Sequence, residues 1–147
     1  MPIKIRSNQN LKLKKRIQLI LFFASCFAIL WLTLLSRTPR LDHKLILRLF
    51  WSYRNLFSGR PNGWNEVVQN LENILLFMPF GFFFPWKRKH WSFTMLCGAC
   101  FSLVIELTQY FFKLGWCELD DLVCNTLGTF LGFLLWRGLI KLFKERN

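Results

Sequence analysis

Apolar side chains run along this chain in four stretches, each bounded by charge, and their lengths read as helices that cross a bilayer. The first, 17–36, lies between Arg16 and Arg37 with no charge inside it. Its 20 residues, at ~1.5 Å each, match the ~30 Å hydrocarbon core. The second is uncharged only from Asn73 to Trp86 and reaches spanning length when Val67 to Glu72 begin the helix, so 67–86 is the expected second span. Pro79 and Gly81 fall inside it, which a bilayer helix tolerates where neighbours satisfy the freed carbonyls. The third is 91–112 and the fourth 119–140.

The segment between the first two spans, 37–66, has a different pattern. From Lys44 to Phe57 a helical wheel gathers Lys44, Arg48, Ser52 and Asn55 on one arc and Leu45, Ile46, Leu49, Phe50, Tyr53, Leu56 and Phe57 on the other. That predicts an amphipathic helix lying in the membrane interface or packed on the bundle. Gly59-Arg60-Pro61-Asn62-Gly63 then reads as a turn back to the second span.

Composition agrees with the pattern. Across 147 residues, 53% are hydrophobic, and Trp86, Trp91, Trp116 and Trp136 lie near the ends of the runs, where an amphipathic ring sits at headgroup level. The expected fold class is an all-α membrane protein of four transmembrane helices. The formal charge of +12 sits in clusters at the ends of apolar runs, a distribution that speaks for headgroup contact and against nucleic acid. With the N-terminus inside, cytoplasmic segments hold thirteen Lys and Arg and outer segments seven. Both termini (1–16 and 141–147) are therefore expected to be cytoplasmic. The first run is longer than a signal-peptide core and no small-x-small site follows, so it is expected to stay as an anchor.

Polar residues inside such runs point to function, because a carboxylate at bilayer depth is costly without a partner or a wet cavity. Glu106 is the only charge in the third span, with Gln109 three residues on. Asp120, Asp121 and Asn125 open the fourth, and Asn73 opens the apolar part of the second. In the predicted topology all six fall near the outer end of their helices, implying a polar pocket open to the outer leaflet. Asp120 and Asp121 are equally readable as a helix N-terminal pair and Asn125 as interhelical glue. Gly128 and Gly132 extend the face of Asp121 and Asn125 and, with Pro79 and Gly81, are expected to pack helices closely.

The motifs Asn73-Ile-Leu-Leu-Phe77-Met-Pro79-Phe-Gly81, Glu106-Leu-Thr-Gln109 and Asp120-Asp121-Leu-Val-Cys-Asn125-Thr126-Leu-Gly128, followed by Gly132, occur in this order. Together they resemble the signature of the VanZ-like family of bacterial membrane proteins, over about 55–136. The resemblance implies a small multi-pass protein of the bacterial cytoplasmic membrane, from a family whose founding member is associated with teicoplanin resistance. Members of that family often carry Gly-Arg shortly before the paired acids. Here the Arg position falls on Gly115, leaving Lys113 or a loop Arg as its replacement.

Three functions stay open. The first is recognition of a lipid, a lipid-linked cell-wall intermediate or a lipoglycopeptide by Asn73, Glu106, Gln109, Asp121 and Asn125. The second is an intramembrane enzyme using Glu106 and Asp121 on a lipid-linked substrate, and the third a small transporter subunit, which needs a homo-oligomer. No His set, activated Ser or Cys motif or phosphate-cradling loop is present, so catalysis is not the first expectation and neither metal nor cofactor is expected. His43 and His90 lie in basic stretches without partners at ligand spacing. Cys97-Gly-Ala-Cys100 sits mid-span and reads as packing, as do Cys26 and Cys124, leaving Cys117 as the expected accessible thiol.

Overall fold

The computed structural model describes residues 2–41, 44–85 and 90–145, with side chains described from residue 12 onward and that of Lys144 left aside. His43, Trp86 and the Lys87-Arg88-Lys89 cluster lie outside the described residues. Five α-helices make up most of the described residues: α1 (Pro2–Leu30), α2 (Trp51–Phe57), α3 (Gly63–Phe83), α4 (Trp91–Phe111) and α5 (Leu119–Glu145). A π-helical turn, Trp31–Leu35, continues α1.

Among the described residues, three helices are long and apolar enough to cross a membrane: Lys12–Leu35, Trp91–Phe111 and Leu119–Phe143. They carry many exposed Leu, Ile and Phe side chains, Ile20, Phe23, Leu96 and Val104 among them, as helices surrounded by lipid do. α1 starts well before residue 17, because the Lys, Arg, Gln and Leu of 8–16 are good helix formers and no breaker follows Pro2. α3 is 21 residues long and runs unbroken through Pro79, but Asn65, Glu66, Gln69, Asn70, Glu72 and Asn73 occupy its first half.

Helix α3 is the centre of the fold and packs most extensively on α5. Their backbones meet at glycines. A Cβ on Gly128 would run into the Ile74 carbonyl, and one on Gly132 into the Met78 carbonyl. Below that crossing, Phe77, Phe80, Phe84, Ile29 and Ile105 form the core, with Phe101 stacked on Phe80 at a centroid distance of 5.4 Å.

Segment 44–57 is not one helix. Leu45–Ile46 form β1, paired in parallel with β2 (Cys117–Glu118), and only Trp51–Phe57 coil as α2. Within α2 the polar arc faces inward: Ser52 and Asn55 are 1% and 4% exposed, whereas Leu49, Phe50 and Phe57 stand outside. The reason is that a buried and a half-buried carboxylate receive them. Asn55 donates to Glu66 Oε2 at 2.7 Å, and Ser52 donates to Asp120.

Candidate functional site

A π-turn, a helix end and a two-residue strand pair assemble the polar site. At the end of α4, Lys113 takes a left-handed conformation (φ 56°), so that Lys113 N–H reaches Tyr110 O and Leu114 N–H reaches Gln109 O. This Schellman-type reversal brings Gly115 back beside Gln109. From the other side, Arg40 N–H bonds Lys113 O at 2.8 Å and Cys117 N–H bonds Lys44 O at 2.9 Å. The segment after the first helix is thereby fastened along the α4–α5 connection.

Four carboxylates lie in this region with different partners. Glu106 is 3% exposed and its Oε2 accepts the Glu118 backbone N–H at 3.0 Å. Asp121 Oδ2 accepts Gln69 Nε2 at 3.1 Å, and Asn73 is a further donor to it. Asp121 Oδ1 has no hydrogen-bond partner among the described residues. Burial, and after it the charge of Asp121, pushes the Glu118 carboxyl up to about 8. Asp120 turns the opposite way from Asp121, since adjacent helical residues are ~100° apart. It accepts Phe50 N–H at 2.6 Å, Ser52 N–H at 3.1 Å and Ser52 Oγ at 3.2 Å, and so holds the entry to α2.

The amides complete a layer behind these acids. Gln109 Nε2 donates to Thr33 O at 3.0 Å, a carbonyl on the π-helical turn, while Gln109 Oε1 is buried with no hydrogen-bond partner among the described residues. Asn125 Nδ2 donates to Ser102 Oγ at 2.8 Å. Of the six residues singled out in the sequence, Glu106, Gln109, Asp121 and Asn73 share one neighbourhood, Asn125 joins α5 to α4, and Asp120 faces α2.

Arg37, Gln69 and Glu118 were not among the sequence candidates. Arg37 follows the C-cap of the π-helical turn, and its Nη1 lies 2.7 Å from the place a Cβ on Gly115 would occupy. Its charge reaches Glu106, Glu118 and Asp121. The cation absent from position 115 is thus supplied by Arg37 from another element. Cys117 is buried, not accessible, because β2 pairing draws it under the loop, and burial pushes its thiol up. Among the described residues no group of three His, Cys, Asp or Glu is arranged to hold a metal ion.

In front of this layer lies a groove of about 900 Å³ between the first helix and α3. Arg37, Asn65, Gln69, Glu72 and Asn73 line its polar end, and Ala28, Leu32, Leu75, Leu76 and Pro79 its apolar length. Thr33, Arg37, Gln69 and Asn73 belong to both sides, lining the groove and touching or facing the buried acid layer.

Three long apolar helices around a buried acid and amide layer are the arrangement of a helical membrane protein. The VanZ/LLP1 family matches residues 12–143, and the chain belongs to this VanZ-like family. An Enterococcus faecium protein named Protein VanZ is 27% identical over 112 residues, which cover 74% of this chain. The match covers 66% of that protein, just under two thirds of its length. No solved structure matches.

Proposed function

We propose that this chain is a multi-pass protein of the bacterial cytoplasmic membrane that receives a lipid or a lipid-linked cell-wall intermediate in the groove between α1 and α3. Four crossings are proposed, α3 being the one whose polar first half stays at the outer leaflet against the acid layer. Both termini then face the cytoplasm, and Leu45, Leu47, Leu49, Phe50 and Phe57, all exposed, turn toward lipid at the outer interface. The same groove is the proposed site for a lipoglycopeptide, also a polar head on an acyl tail, and the proposed basis of any teicoplanin resistance.

The observation that carries this reading is the two-part lining of the groove, polar at one end and apolar along the rest. Pockets that bind small amphiphiles combine apolar walls with a few placed polar groups. The acids behind the wall orient Gln69 and Asn73 in this scheme and do not themselves touch the ligand.

The test is lipid retention. Wild-type protein purified in mild detergent is expected to carry lipid detectable by native mass spectrometry. Ala28→Trp, which fills the apolar part of the groove from an exposed position, should release it while thermal unfolding stays unchanged. Equal lipid retention by the two proteins would exclude the groove as the site.

A further inference from the structure

Arg37 stands at the polar end of the groove and is half-buried. Among the described residues its side chain makes no ion pair and no hydrogen bond; the ion pair found there, Lys141 with Glu145, lies near the end of α5. The acids nearby take donors elsewhere: Glu106 from the Glu118 amide, Asp121 from Gln69. Gly115 is buried and offers bare backbone beside the guanidinium, so the planar group is seated without being consumed. A guanidinium presents five N–H donors in a fork that matches the oxygens of a phosphate.

The rest of the groove continues from this fork. Asn65 and Asn73 line the same end, and the apolar wall of Ala28, Leu32, Leu75, Leu76 and Pro79 follows directly. The charge and the apolar length therefore point to one molecule carrying both an anion and an acyl chain.

We propose that Arg37 binds the phosphate of a membrane phospholipid whose acyl chain lies along α1 and α3. This rests on the groove reading above and adds the charge class of the occupant. Repulsion from the acid layer is smaller than its count of carboxylates suggests. Glu118, pushed up to about 8, holds its proton at neutral pH, Asp121 lies behind Gln69, and Glu106 is buried on the Glu118 amide, so Glu72, exposed at the same end of the groove, is the carboxylate that faces the anion.

The experiment compares three probes on the full chain in nanodiscs or mild detergent: phosphatidylglycerol, a diacylglycerol with the same chains but no phosphate, and inorganic phosphate alone. Wild type is expected to retain phosphatidylglycerol roughly tenfold better than diacylglycerol, the scale of one charge-assisted bidentate contact. That preference should vanish in Arg37→Ala and shrink in Arg37→Lys, which keeps the charge but loses the fork and guards against a simple folding defect. Equal retention of both lipids, unchanged by either substitution, overturns the phosphate inference and leaves the groove reading standing. Retention of neither lipid overturns both. Full displacement of phosphatidylglycerol by millimolar inorganic phosphate assigns the fork to a free anion and overturns the lipid assignment.

Discussion

Asp120 and Asp121 are neighbours with opposite duties, and the difference is one of angle. Asp120 accepts two backbone N–H groups and a hydroxyl from the Phe50–Ser52 corner, where Phe50 holds a left-handed φ of 59°. Such a conformation costs on the order of 1–3 kcal/mol in a non-glycine residue and persists where its surroundings fix it. Asp120→Ala is expected to lower stability by about 2–3 kcal/mol, since buried donors lose their acceptor, and urea or thermal unfolding in detergent checks this. Glu118 makes a pH prediction. The unfolded chain releases its proton near 4.5 and the folded chain holds it to about 8, so the native state binds more protons between these values. This group's contribution is then full below pH ~4.5 and is lost as pH rises toward 8. Glu118→Gln should flatten that part of the stability profile, and an unchanged slope would discount the burial of this carboxyl. Glu106, Gln109 and Asp121 were legible because polar groups stand out inside apolar runs. Arg37, Gln69 and Glu118 were not, because a charge or an amide at a helix end looks ordinary until the chain path brings it to a carboxylate.

At the scale of elements, α3 shows how far periodicity carries. Its apolar second half was readable, but its start four residues before Val67 and its central place against α5 come from contacts no single-helix pattern contains. The glycine spacing on α5 was visible in the sequence, and the structure sets Gly128 and Gly132 on carbonyls of α3. Gly132→Leu is therefore expected to cost about 1–3 kcal/mol by forcing the pair apart, read as a lower melting temperature and less protein in the membrane. For α2, a helical wheel separates two faces without saying which one meets the protein. Ser52 and Asn55 go inward because buried Asp120 and half-buried Glu66 accept from them, and that information lies 11 to 68 residues away along the chain. The β1–β2 pair, two residues a side, is too short to leave any alternation in the sequence.

For the whole molecule the open quantity is the path across the bilayer. Three helices meet the length and apolarity of a span, and α3 is proposed as the fourth. Reporter fusions decide it: a periplasm-active reporter after Gly59 should be active and one after Asn147 inactive, whereas activity at both sites would mean an even number of crossings between them and remove α3 as a span. The apolar runs and their charged borders pointed to α1, α4 and α5 as long helices, since lipid demands uninterrupted apolarity there.

The seat of Arg37 against Gly115 joins two positions 78 residues apart into one inherited unit. Any side chain larger than hydrogen at 115 must displace the guanidinium from its seat, so substitutions at these two sites should not act independently. Moving the charge across, with Arg37→Ala and Gly115→Arg together, should restore more stability and membrane abundance than either change alone. The positive charge is then a property of the place between the helices and not of the segment that happens to deliver it.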